Sequence, residues 1–257
     1  MKQFQPKLFY GVVMICILCL LACNSSYQLT TITGSKTLMD DSWDNVPNIA
    51  AQEALKPFSA KVDSIMSPVV GRSSMDMVPK RPGSPLSNLM ADVLKEAAEE
   101  HFDQPADIGI VNIGGLRNSL NKGDITYGDI FQILPFENSI CLVTLTGEVV
   151  HELIENIVSV RGEGISNVQI VATKDRKLVS CTVGGQPIDP QKLYKIATLD
   201  YLAEGNDQMV AFKKNVKKEC RPEATIRLIF LKYVQELTKQ GKEVSASTEN
   251  RIIIADN

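Results

Sequence analysis

The sequence predicts an α+β fold, with mixed sheets packed with helices, from three observations. Apolar residues recur at helical spacing in several segments, and short apolar or alternating runs fall between them. Helical and strand-like segments interleave, but no strict βαβ repeat joins them. Near the middle, a polar cluster, Asn112-Ile-Gly-Gly-Leu-Arg117, stands at the end of a short apolar run from Asp107 to Val111. That run reads as a buried strand. Its polar end is therefore the first candidate for a recognition site.

Lys2 and Lys7 precede an apolar run from Leu8 to Leu21. The run is too short to span a membrane comfortably and has the form of a signal-peptide core. It ends in Leu20-Leu21-Ala22-Cys23, which resembles the bacterial lipoprotein box. Residues 1–22 are therefore expected to be a signal peptide, and Cys23 the lipid-bearing mature N-terminus. Several acyl chains, at roughly 0.8 kcal/mol per buried CH₂, hold a domain on a membrane. The expected location is the bacterial cell envelope, at the outer membrane. Residues 23–44 are polar and Ser/Thr-rich and are expected to form a flexible tether, leaving 45–257 as the folded domain.

Leu55, Phe58, Val62, Ile65 and Met66 predict a helix near Ile49 to Met66, with Pro57 breaking or restarting it. Pro79, Pro82 and Pro85 enforce extended or turned backbone from Met75 to Pro85. Leu86, Leu89, Met90, Val93, Leu94 and Ala97 then predict a helix with Ser84 as N-cap and Pro85 at its first position. Thr126 is a second cap, for a short helix from Tyr127 to Leu134 that stops at Pro135. Ser139 to Leu145 reads as a strand. Thr146-Gly147-Glu148 opens a helix carrying Val149, Val150, Leu153, Ile154 and Ile157. Beyond the loop Arg161 to Gly164, Val168 to Ala172 and Leu178 to Val183 predict a strand pair, and Tyr194 to Leu199 a further strand. Leu228 to Leu237 is expected to be helical after Pro222, and Arg251 to Ile254 to form a closing strand.

A hydrophobic content of 44%, a charged content of 22% and a net charge of −3 describe ordinary globular material. There is no basic footprint for a nucleic-acid polymer. Of six cysteines, Cys16 and Cys19 lie in the signal core and Cys23 is the anchor. The odd remainder, Cys141, Cys181 and Cys220, with the first two in β-like runs, argues for buried free thiols rather than a disulfide scaffold.

Four segments in order carry a resemblance: Pro85-Leu-Ser-Asn-Leu-Met-Ala-Asp92, Asn112-Ile-Gly-Gly-Leu-Arg117, Leu134-Pro-Phe-Glu-Asn138 and Tyr201-Leu-Ala-Glu-Gly-Asn-Asp207. Gly123-Asp-Ile-Thr-Tyr127 and Thr144-Leu-Thr-Gly147 lie between them. The chain from about Phe58 to Ala255 resembles the C-terminal, substrate-binding domain of bacterial 5′-nucleotidases and UDP-sugar hydrolases. The resemblance implies that Asn112 bonds a base, that Arg117 faces ribose or phosphate, and that Phe136 and Tyr201 sandwich the ring. It implies that Asp207 accepts the ribose hydroxyls and that Asn138 and Gly164 line the pocket. It places Lys80, with Arg81 adjacent, where the family has an arginine. Taken singly, Phe136 reads as a core aromatic, Tyr201 as a strand residue and Asp207 as a turn residue. Two departures stand out: Ile113 fills a place where the family shows glycine, and Gly205-Asn206 replaces a glycine pair.

In that family a separate metallophosphoesterase domain holds two metal ions, about 3.5–4 Å apart. This sequence has two histidines, His101 and His151, and no Asp-x-His or Asn-His-Glu pattern. The expectation is a nucleotide-binding half with no catalytic or metal residue of its own, completed by a separate metallophosphoesterase chain that carries the divalent metals. The alternative is a non-catalytic nucleoside- or nucleotide-binding lipoprotein.

Overall fold

The computed structural model describes Tyr10, Met14 and residues 29–38 and 47–255. Most of the predicted signal core, Cys23 and most of the predicted tether lie outside these residues. The chain divides into two units, 1–52 and 53–257. In the first, residues 29–38 are exposed and lack regular secondary structure.

Helix α1 (Ile49–Met66) runs through Pro57 without a break. The expected interruption is absent because no residue of α1 is buried. The carbonyl that Pro57 leaves without a donor can turn to water. β1 (Val69–Ser73) pairs antiparallel with β3 (Gly123–Thr126) in a two-stranded sheet. Between them come α2 (Pro85–Phe102) and β2 (Ile108–Val111). Ser84 and Ser87 form a capping box at the start of α2, each side chain serving the other's backbone N–H. Thr126 and Asp129 do the same for α3 (Tyr127–Ile133).

Next come β4 (Ser139–Thr146), α4 (Gly147–Ser159), β5 (Gly164–Ser166), β6 (Val168–Thr173), β7 (Leu178–Val183), β8 (Gln186–Pro187) and β9 (Leu193–Leu199). The chain continues with the short α5 (Asp200–Ala203), β10 (Lys217–Thr225), α6 (Ile226–Lys239) and β11 (Ile252–Ala255). The central sheet has the order β10-β4-β9-β2-β5, and a smaller sheet the order β11-β6-β7-β8.

Alternation along the central strands builds two cores. Ile140 and Leu142 of β4 join Ala197 and Leu199 of β9 under α2 and α6. Cys141, Val143 and Leu145 face the opposite core with Ile196, α4 and the smaller sheet. Each fully buried Leu or Ile contributes roughly 1.5–3 kcal/mol. Gly109 lets α2 settle on β2: a Cβ there would lie 2.2 Å from the Ala91 carbonyl oxygen.

β10 is the main element the periodicity missed. Its charged alternation marks an edge strand, and Pro222 falls inside a register shift between Arg221 and Thr225, where no ladder N–H is needed. This strand also overturns the expectation of free thiols. Cys220 lies directly opposite Cys141 in the ladder, and the two form a disulfide. Cys181 is the free cysteine among the described residues.

Candidate functional site

Three loops meet at one edge of the central sheet for a topological reason. β2 runs parallel to β9, so both strands end on the same side. β4 runs antiparallel to β9, with Ile140 opposite Leu199, so it begins there. The loop after β2 brings Asn112 to Arg117. The segment before β4 brings Phe136 and Asn138, and the segment after β9 brings Tyr201 and Asp207. These six predicted residues, with Gly114 and Gly115, line a cavity of about 410 Å³.

Asn112 stands at the start of the 3₁₀ turn Ile113–Gly115, makes no side-chain cap bond to it, and is only 4% exposed. Neither Gly114 nor Gly115 adopts a positive φ. Gly115 is required instead by close approach, since a Cβ would sit 2.9 Å from Asn112 Oδ1. Asn112 Nδ2 donates to Asp207 Oδ2 at 2.8 Å, and the buried Oδ1 has no partner. Tyr201 donates its hydroxyl to Asp207 Oδ1 at 3.0 Å. This bond, with the carboxylate charge, raises the Tyr201 pKa. Asp207 and Gln208 both lie in the left-handed region, at φ 50° and 66°, after Gly205 at 82°. Asn206 holds this turn by donating Nδ2 to the Tyr201 carbonyl at 2.8 Å. Phe136 and Tyr201 remain 48% and 40% exposed, so neither is a core aromatic. Arg117 is exposed and donates Nη1 to the Gly114 carbonyl at 3.2 Å.

Residues 69–214 match the family model described as 5′-nucleotidase, C-terminal domain. The chain belongs to that family. It is 34% identical over 107 residues to the protein UshA of Escherichia coli, covering 40% of this chain and 19% of that protein. An apyrase of Tabanus yao is 29% identical over 157 residues, or 52% of this chain and 28% of its own. The 5′-nucleotidase precursor from Thermus thermophilus superposes with a TM-score of 0.72 at 25% identity, covering 82% of this chain and 44% of the other. The chain thus spans less than half the length of each of these relatives.

This 5′-nucleotidase C-terminal domain has one site residue that sequence reasoning missed. Glu163 is fully buried and accepts from the Ile113 N–H at 2.5 Å and from Arg81 Nη2 at 2.7 Å. It braces the Asn112 turn from behind at the place where Ile113 replaces glycine. Burial raises its pKa, against the pull of both donors. A charged residue between Gly162 and Gly164 was the available signal.

Two predicted positions fall elsewhere. Gly164 does not line the cavity: it is buried in β5, where a Cβ would lie 2.5 Å from the Ser87 carbonyl oxygen, so its role is packing. Lys80 is exposed and outside the cavity lining, while Arg81, after which the chain has a cis bond to Pro82, turns inward to Glu163. His151 Nδ1 lies 3.7 Å from Glu155 on α4. Among the described residues no group of three or more His, Cys, Asp or Glu could hold a metal ion.

Proposed function

We propose that this chain is the nucleoside- and nucleotide-binding half of a 5′-nucleotidase-type phosphoester hydrolase, completed by a metallophosphoesterase on a separate chain. The observation that carries this reading is the convergence of two exposed aromatics, a buried amide, a carboxylate and an arginine on one cavity. Phe136 and Tyr201 offer faces for a base, worth roughly 1–3 kcal/mol of stacking each. Asn112 Oδ1 accepts from a donor on the ligand, Asp207 accepts from the ribose diol, and Arg117 faces the phosphate side. Asn138 lines the wall.

The separate catalytic chain is supported by α1. Leu55, Phe58, Val62 and Ile65 recur along it at helical spacing, and each is at least half exposed. An apolar stripe of this kind marks a contact surface for another protein. The run Leu20-Leu21-Ala22-Cys23 supports a lipid anchor that would keep both chains at the outer membrane.

Assay of the purified chain with nucleoside monophosphates and Mn²⁺, Zn²⁺ or Co²⁺ should give binding without turnover. Adding the cognate metallophosphoesterase should restore hydrolysis, and Arg117→Ala should lower the rate of the mixture, because positioning alone controls many powers of ten in rate. Metal-dependent turnover by the single chain, abolished by substitutions within it, would refute the division of labour. Nucleoside binding with no activating partner would favour the non-catalytic lipoprotein.

A further inference from the structure

The smaller sheet ends in an edge strand with little of the usual protection. β11 is bonded on one side, to β6, and stands first in the order β11-β6-β7-β8. Its sequence is Ile-Ile-Ile-Ala, with no charge, proline or register shift. Other edges are blunted. β10 carries Lys217, Lys218 and Glu219 and shifts register around Pro222, β8 is two residues long and includes Pro187, and the three residues of β5 are buried. Arg251, the charge next to β11, is turned to Asp92 and Glu249. An apolar edge left open is a template for an added strand.

The ladder fixes which groups would receive it. In a parallel pair alternate residues bond a given neighbour. Ile170 lies opposite Ile252 and donates its N–H to the Arg251 carbonyl at 2.8 Å, so Arg251 and Ile253 face β6. Ile252 and Ile254 therefore turn their N–H and C=O groups to the open side, where no strand pairs with them among the described residues. Side-chain exposure agrees. Ile253 and Ile254 point to opposite faces of the sheet, yet they are 50% and 42% exposed. A small molecule on one face would cover one of them, whereas an added strand flanks both.

The chemistry of the occupant follows from the face beside this edge. Ile252 and Ile254, with Val158 and Ala172, line a cavity of about 490 Å³. Arg161, Lys174 and Arg176 also line it, as does Arg81, which Glu163 already holds, and no carboxylate does. Two copies of β11 paired about a twofold axis would bring these like charges together. An acidic segment would not.

We propose that β11 is a strand-addition site for an extended segment of another protein, one that alternates apolar side chains with a carboxylate reaching Arg161 or Arg176. Backbone bonds to Ile252 and Ile254 supply affinity, and the cavity selects the side chains. The cavity has no residue in common with the nucleoside cavity, so the inference stands apart from that reading.

The probe is the peptide Glu-Val-Thr-Val-Thr-Val, acetylated, amidated and fluorescently labelled, titrated against the full chain by anisotropy. Two further forms are N-methylated on alternate residues, so that in a strand one set of methyl groups faces β11 and the other faces away. One form should lose about tenfold or more in affinity and the other little. Arg176→Gln, or lysine in place of the probe's glutamate, should weaken binding about two- to fivefold. Ile254→Pro removes an outward N–H without touching the ladder to β6, and should weaken the unmethylated probe while leaving adenosine binding unchanged. If that variant fails to fold, the methylated pair decides on the wild type. No binding of the probe at millimolar concentration, or an equal response to both methylated forms, would overturn the proposal. Self-association of the wild type that Ile254→Pro abolishes in sedimentation would give the edge to a second copy and overturn it as well.

Discussion

Replacing Asp207 with Ala removes two hydrogen bonds whose consequences differ. The Tyr201 hydroxyl belongs to an exposed side chain, so water can take the place of the lost carboxylate. Asn112 is 4% exposed, its Oδ1 already lacks a partner, and its Nδ2 would lose Asp207 as well. A buried donor left unsatisfied costs about 1–3 kcal/mol. For a folded part of this size, each kcal/mol lowers Tm by roughly 2–4 °C, so Asp207→Ala should melt roughly 2–12 °C below wild type. Asn112→Ala in the same background removes the orphaned donor, and the double variant should be less destabilised than the sum of the singles by about 0.5–3 kcal/mol. Calorimetry or urea unfolding measures all four corners of the cycle. Additivity to within about 0.3–0.5 kcal/mol would refute the claim that Asp207 holds the buried amide. Ligand titration separates the second role: Asp207→Ala should weaken adenosine binding more than binding of 2′,3′-dideoxyadenosine, which lacks the diol.

Phe136→Ala should leave Tm nearly unchanged, because the ring is half exposed, while weakening nucleoside binding by about 1–3 kcal/mol; wild-type affinity in titration would sink the stacking role. The Cys141–Cys220 bond closes a loop of 79 residues, so replacing both with Ala should cost up to about 4.5 kcal/mol, and an unfolding midpoint indifferent to reductant would contradict it. Glu163 has a raised pKa, so its contribution is complete below the ordinary glutamate value of 4.5 and is lost as pH rises through the raised one. The stability of wild type relative to Glu163→Gln should therefore fall as pH climbs through that window, and a rise in thermal melts would show the sign to be wrong.

The helices were legible because their signals are local. Ser84 and Pro85 mark the start of α2, and Thr126 and Asp129 cap α3, within a few residues of sequence. The site was legible because its residues sit at strand ends, where polar groups interrupt apolar runs. β1, β3 and β10 were not legible, since short or charged edge strands owe their existence to partners far away in the chain. The disulfide was hidden for the same reason. Cys141 and Cys220 meet only once β10 is laid against β4, and nothing local to either cysteine fixes that register. Glu163 was missed because its partners, Ile113 and Arg81, are 50 and 82 residues away.

The cavity's selectivity follows from a polarity set before any ligand arrives. Because Asp207 is an acceptor, the Asn112 amide must turn its Nδ2 toward it, which leaves Oδ1 as the buried atom that still requires a donor. Gly115 secures this arrangement, since a methyl group there would press on the amide oxygen. Glu163 fixes the turn beneath by holding the Ile113 N–H. A ligand that presents an N–H or O–H to Oδ1 satisfies an atom that is unsatisfied in the free protein, whereas one that presents a carbonyl leaves two acceptors facing each other. Sites of this kind reject the wrong partner more strongly than they attract the right one, because the penalty falls on buried groups left unpaired. On the nucleoside-binding proposal, the orientation of one side chain, imposed by a carboxylate 95 residues away, is what would select the edge of a base that enters.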